Sequence, residues 1–184
     1  MIFRAGKVSA LLLVMVAGCL TNCAPSLARY RELGAEGRID SSATVIAKAS
    51  IEINATSIEA WDILANASAW PEWNKEIKSV EVSGTLDSGT AFVWGPSSPR
   101  IRSQVVRADT GRELVWIGSM MHIKAIHRWR IRQQRERIIV ETEESLEGFG
   151  VSLLYGRKKL RRNLESWLGS FKKRAERLEF KQAT

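Results

Sequence analysis

Cysteine is scarce: the 184-residue chain has two, Cys19 and Cys23, both near its start. The body of the chain therefore carries no disulfide framework. With only two histidines, His122 and His127, it also has no Cys/His set spaced to hold zinc, and no metal or cofactor site is expected. Glycine, at 13, is far below a collagen repeat, and no apolar heptad persists. Only one segment is strongly apolar, about thirteen residues ending near Leu20. A spanning helix needs roughly 17–25 such residues, so a polytopic membrane protein is excluded. No G-x-S-x-G elbow, glycine-rich phosphate loop or histidine pair at metal spacing occurs. Acidic residues are outnumbered, 20 against 28 basic ones, for a formal charge of +8. The 45% apolar and 26% charged content is that of a globular domain and excludes wholesale disorder. The length suits one domain.

The first residues follow the plan of an export signal. Arg4 and Lys7 form a basic start, Val8 to Ala17 an apolar stretch, and small residues precede Cys19. Residues 1–18 are thus expected to be a signal peptide. Val16-Ala17-Gly18-Cys19 resembles the bacterial lipobox, which ends in the cysteine that is diacylated and becomes the mature N-terminus. That resemblance implies a lipoprotein anchored by Cys19 in the bacterial cell envelope, facing periplasm or exterior. A plain secretory signal and an uncleaved anchor are the alternatives. Residues 19–42 are polar and mixed, with Pro25, Gly34 and Gly37, and read as a tether.

A domain is expected over 43–181. From Thr44 apolar and polar residues alternate through Val45, Ala47, Ala49, Ile51 and Ile53, the period of a strand. Thr56 with Glu59 three residues on forms a capping box for a helix to about Asn66. A second short helix or turn around Ser68–Lys75 is interrupted by Pro71. Six strands follow: Ile77–Ser83, Thr90–Trp94, Arg100–Ala108, Glu113–Gly118, Ala125–Gln133 and Arg137–Leu146. Leu153, Leu160, Leu164, Trp167, Phe171, Ala175 and Leu178 then predict a long amphipathic helix whose other faces are basic. A curved antiparallel sheet must bury one face, and this stripe is the one long apolar partner available. The fold class is α+β, with a sheet wrapped on the helix and a space between them suited to a ligand.

Ala60-Trp61-Asp62-Ile63-Leu64 and Trp70-Pro71-Glu72-Trp73-Asn74 resemble the opening of the START/Bet v 1-like (SRPBCC) superfamily and its polyketide cyclase/dehydrase-like branch. Gly89 before Phe92, Leu114-Val115-Trp116, His127-Arg128-Trp129-Arg130-Ile131 and Glu143-Glu144-Ser145-Leu146-Glu147-Gly148 fit its later strands, with Leu146 where a Phe is usual. The resemblance spans about residues 43 to 180. It implies a helix-grip fold of about seven strands with a hydrophobic cavity. Members bind lipids, sterols, polyketides or hormones, and some cyclise or dehydrate polyketides.

A two-residue turn at Gln134-Arg135 would set Ile131 opposite Ile138, Trp129 opposite Val140, His127 opposite Thr142 and Ala125 opposite Glu144. One face then carries His127, Thr142 and Glu144 among apolar residues. The other, with Arg128, Arg130, Arg132, Glu141 and Glu143, is expected in solvent. The expected cavity wall is Trp94, Trp116, His127, Trp129, Val140, Thr142 and Glu144. His127 and Glu144 are the candidate acid–base pair. The plainer reading is a buried histidine satisfied by Thr142 or backbone. The tryptophans (Trp61, Trp70, Trp73, Trp94, Trp116, Trp129, Trp167) serve either as cavity lining or as core, and at least half are expected in the core. The basic helix is a solvated face, with cations near its C-terminus offsetting its dipole, or a surface for anionic lipid. Export makes nucleic acid remote.

Three functions follow: an envelope lipoprotein binding a small apolar or amphipathic molecule, an enzyme using His127 and Glu144, or an interaction module with a filled core. For the anchor, mass spectrometry of mature protein should find lipid on Cys19, and Cys19→Ala should release the protein from the membrane fraction. An unmodified Cys19 would contradict it.

Overall fold

The computed structural model describes residues 27–182. The signal segment, Cys19 and Cys23 lie outside the described residues. Seven antiparallel strands form one sheet in the order β1-β7-β6-β5-β4-β3-β2. They are β1 (Val45–Ile53), β2 (Ser79–Glu81), β3 (Ala91–Gly95), β4 (Ile101–Asp109), β5 (Glu113–Met120), β6 (Ile123–Gln134) and β7 (Arg137–Glu147). Two short helices, α2 (Ser57–Ala65) and α3 (Trp70–Trp73), follow β1, and α5 (Arg157–Gln182) closes the chain after the one-turn α4 (Val151–Leu154). The sheet against a long helix is what the pattern of periods predicts, and the helix-grip arrangement is what the resemblance implies.

Local chemistry sets the helix ends. Thr56 Oγ1 accepts from the Glu59 backbone, and the Glu59 carboxylate accepts from the Thr56 N–H at 2.9 Å, completing the capping box. Pro71 sits in the first turn of α3, where its missing N–H costs nothing.

Alternation places Val45, Ala47, Ala49 and Ile53 of β1 on the inner face, with Ile138, Val140 and Leu146 of β7 beside them. Leu160, Leu164, Trp167, Leu168, Phe171 and Ala175 of α5 meet that face, all buried. The stripe begins later than expected. Leu153 belongs to α4 and is 92% exposed, because the Tyr155-Gly156 break turns the chain before α5 starts.

The β6–β7 turn is Arg135-Glu136, one residue beyond the expected pair, so Gln134 faces Arg137. Arg135 takes the left-handed conformation (φ 57°), and the Gln133 side-chain amide donates to the Arg135 and Arg137 carbonyls at 2.8 and 3.1 Å. Moving a turn by one residue moves each partner by two. The inward set is therefore unchanged, but the pairs differ: His127 faces Glu144, Trp129 faces Thr142 and Ile131 faces Val140.

The segment read as a tether is, from Leu27 on, part of the packed structure. α1 (Leu27–Ala35) lies on the outer face, where Tyr30 packs with Val115, Ile117 and Ile126. Gly34 allows the close approach: a Cβ there would stand 2.6 Å from Val106 Cγ2. The helix ends in a Schellman motif, with Arg38 N donating to Leu33 O at 2.9 Å and Gly37, at φ 70°, donating to Gly34 O at 3.0 Å. The outer face is thus not simply solvated. Glu141 is 4% exposed and pairs with Lys48 at 2.7 Å and Arg132 at 3.1 Å, Arg130 pairs with Glu113 at 3.1 Å, and Arg128 joins Glu143 to the Gly37 carbonyl.

Phe171 is fully buried between Trp73 and Trp129. Phe171→Ala should cost about 3–5 kcal/mol in a denaturant titration. A loss under about 0.5 kcal/mol would place the stripe at the surface.

Candidate functional site

A cavity of about 410 Å³ lies between the sheet and the first half of α5. It exists because the inward side chains there are small. Gly118 of β5 stands opposite Ala125 of β6, and both line it, with Leu160 and Leu164 across from them. At the other end the same gap is filled. Trp129 packs on Trp167 and Phe171, and Trp73 on Phe171. Trp70 is the hub of this filling: its ring meets Phe92, Trp94, Trp116 and Trp167 at centroid distances of 5.5–5.9 Å, and its Nε1 donates to Leu64 O at 3.0 Å. The Trp-Pro-Glu-Trp-Asn segment is therefore the cavity's floor support rather than its lining, except Asn74. The mouth is formed by Pro96 and Pro99 of the β3–β4 loop, Met120 and Ile123 beside the β5–β6 turn, and Tyr155 between α4 and α5.

Of the expected wall, Trp94, Trp116, His127 and Glu144 line the cavity. Trp129, Val140 and Thr142 do not. All three are fully buried in the packed half, where the α5 aromatics reach the sheet. Trp61, Trp70, Trp73 and Trp129 are core, while Trp167 joins the lining. The sequence puts Leu160 and Leu164 on the stripe facing the sheet without marking them as cavity wall, and it does not mark Tyr155, Asn163 or the small pair Gly118/Ala125. The inward parity of 118 and 125 was readable, but small residues carry no hydrophobic signal. Tyr155 was hidden because the break before α5 was not foreseen.

The polar groups converge at one wall. His127 is 1% exposed, and its Nε2 shares a 2.7 Å hydrogen bond with Thr142 Oγ1. Its Nδ1 has no hydrogen-bond partner and stands 3.7 Å from Glu144 Oε1, too far for a hydrogen bond. Trp116, Trp129 and Trp167 surround the imidazole at 4.5, 5.9 and 5.2 Å. This apolar burial lowers the His127 pKa to about 3, so the ring is neutral at pH 7. Burial raises Glu144 to about 8, so its carboxyl is mostly protonated there. The Tyr155 hydroxyl accepts from Asn163 Nδ2, and its pKa rises to about 12, first through burial and then through the nearby Glu144 and Glu76 charges. The wall thus offers a neutral imidazole, a neutral acid, a phenol and an amide inside an apolar enclosure. Among the described residues no group of three His, Cys, Asp or Glu is placed to hold a metal ion.

These shifts give stability a dependence on pH. Folded Glu144 keeps a proton that the unfolded chain loses above its ordinary 4.5, so stability falls as pH rises from 4.5 to about 8. His127 acts in the opposite sense: the unfolded chain takes up a proton below 6.5 while the folded ring does not until about 3, so stability rises with pH across that window. Above pH 6.5 the Glu144 contribution stands alone. The denaturation midpoint should fall between pH 6.5 and 8, and Glu144→Gln should flatten that stretch. A wild-type midpoint constant over it would contradict the burial of this carboxyl.

Comparison with known proteins agrees with this architecture. The chain matches the family described as polyketide cyclase / dehydrase and lipid transport over residues 44–176. No curated protein matches it significantly. Among solved structures, a hypothetical protein from Helicobacter pylori superposes with a TM-score of 0.67 at 14% identity, covering 74% of this chain and 90% of that one. A START superfamily protein from Mycobacterium smegmatis gives 0.62 at 17% identity, covering 72% and 98%. The di-domain ARO/CYC protein BexL, from the BE-7585A biosynthetic pathway, gives 0.57 at 16% identity, covering 71% of this chain and 50% of that one. Such distant likenesses establish the fold alone. The match over residues 44–176 establishes more: this chain belongs to the polyketide cyclase / dehydrase and lipid transport family.

Proposed function

We propose that the protein is a cell-envelope lipoprotein whose START-like domain binds one small apolar or amphipathic molecule. The observation that carries this reading is the cavity itself: about 410 Å³, walled by Trp94, Trp116, Trp167, Leu160 and Leu164, with few polar groups gathered at one wall. Ligand sites have this composition, apolar walls for affinity and sparse polar groups for orientation. The aromatic walls are pinned by one another, Trp94 stacking on Trp167 at 5.3 Å, so the space persists without a ligand. A filled-core interaction module would not leave it.

The anchor at Cys19 would hold this domain at a membrane, and two surface features support a mouth turned toward lipid. Met121, Phe149 and Leu153 are 81%, 93% and 92% exposed. Gly148 brings the Phe149 loop against the His122 carbonyl, so the β5–β6 tip and the loop after β7 are neighbours beside the mouth. α5 begins with Arg157, Lys158, Lys159, Arg161 and Arg162 and has no acid in its first turn. Cations at a helix N-terminus oppose its dipole rather than offset it. That placement is explained by attraction to anionic headgroups, which is about 1 kcal/mol for each cation near the surface. No described helix is long and apolar enough to cross a membrane, which leaves attachment rather than helical spanning as the mode for this domain.

A second reading has an observation of its own. Glu144 held as a neutral acid 3.7 Å from a neutral imidazole is a pair able to give and take protons on a bound ligand. This would make the domain a cyclase, dehydratase or hydrolase on the same cavity.

Ala125 lines the cavity between Gly118 on one neighbouring strand and Leu146 on the other. Native mass spectrometry should find a co-purifying small molecule on wild type. Ala125→Trp should lose it, with the melting temperature shifted by only a few degrees. Retention of ligand by a folded Ala125→Trp would move the site elsewhere. His127→Ala separates the two readings: under the enzyme reading turnover of the identified ligand disappears while binding survives, and under the carrier reading the ligand returns unchanged from wild type.

A further inference from the structure

The chain has 28 Lys and Arg residues, yet among the described residues no Lys or Arg lines the cavity. The ionisable lining is Glu76, His127, Glu144 and Tyr155, from the loop before β2, from β6, from β7 and from the junction of α4 and α5. Lys159 stands 4.8 Å from the Tyr155 ring centroid and is not part of the lining. An anionic ligand would therefore meet two carboxyl groups and no counter-charge. A cation would meet a carboxyl and the π faces of Trp94, Trp116 and Trp167, which attract positive charge. His127 Nδ1, 3.7 Å from Glu144 Oε1, is sealed from solvent, whereas the Glu144 side chain keeps 16% of its surface exposed and is the acceptor a ligand can reach.

Building on the cavity reading above, we propose that the preferred ligand is an apolar molecule bearing one protonated amine, with Glu144 as its counter-ion. Glu144 is mostly protonated in the empty site at pH 7. The ammonium reverses that preference: the carboxyl loses its proton to water, the amine keeps its own, and an ion pair forms inside the apolar wall. Binding of the amine releases up to one proton per molecule; binding of a neutral ligand releases none. Glu76 at the exposed edge stays in water and adds only a screened attraction.

Full-length protein titrated calorimetrically with decylamine, decan-1-ol and decanoate at pH 7, in two buffers of different ionisation enthalpy, tests this. Decylamine is expected to bind at least tenfold more tightly than decanol, decanoate more weakly than either, with proton release for the amine alone. Glu144→Gln should bring the amine down to the alcohol's affinity and abolish the release; Ala125→Trp should abolish binding of both. Equal affinity of amine and alcohol, tightest binding of decanoate, or an amine preference that survives in Glu144→Gln would overturn the head-group assignment and leave the apolar cavity standing. If none of the three binds, the ligand-binding reading falls and this inference with it. Should Glu144→Gln not fold, the wild-type proton release decides: release with the amine supports the pairing, and its absence overturns it.

Discussion

One helix cannot touch a twisted seven-stranded sheet across its whole width, and the rest of the molecule is an answer to that mismatch. At one end the gap is closed by rings: Trp70, Trp73, Trp129 and Phe171 fill the space between strands and helix. At the other the sheet sets Gly118 and Ala125 side by side, and the gap stays open over them. The cavity is not a defect in packing. Its walls are aromatic side chains held edge to face by one another, a rigid lining that collapse could not fill without off-rotamer strain.

The same geometry fixes the chemistry. Two titratable groups on neighbouring strands are brought opposite each other by the β6–β7 register and then deprived of water. Deprivation acts on them in opposite directions, holding the imidazole unprotonated and the carboxyl protonated, so both are neutral around pH 7. In a chain with an excess of cations, the cavity is the place from which cations are excluded. The basic residues go instead to the outer ion-pair ladder of Arg128, Arg130 and Arg132 and to the start of α5. The domain thus presents positive charge to what approaches it and an uncharged, acid-bearing interior to what enters.

Most of the fold was legible because it rests on periodicity. Alternation along β1, β6 and β7, the Thr56–Glu59 box and the α5 stripe from Leu160 to Ala175 each follow from residues a few positions apart. The face holding His127 and Glu144 was legible for the same reason, and it survived a misplaced turn, since a shift of two preserves parity. The direct His127–Glu144 pairing was not, because Arg135 adopts a left-handed turn conformation that arginine does not advertise. Trp129, Val140 and Thr142 share the correct face yet lie in the filled half. Which half is filled depends on how α5 and α3 meet the sheet, a contact between distant segments. α1 escaped notice because its apolar stripe is only Tyr30 and Leu33 with Gly34, and its partner surface is the outer face that the charge pattern assigns to water.

The chemistry of the cavity rests on Glu144 being a neutral acid held by burial among apolar walls. Infrared difference spectroscopy of wild type against Glu144→Gln reads this directly, because a protonated carboxyl has a carbonyl band that a carboxylate lacks. The band should be present at pH 7 and disappear as pH rises through about 8. A Glu144 already ionised at pH 6 would mean that bulk water reaches the carboxyl, and would contradict both its burial and the chemistry built on it.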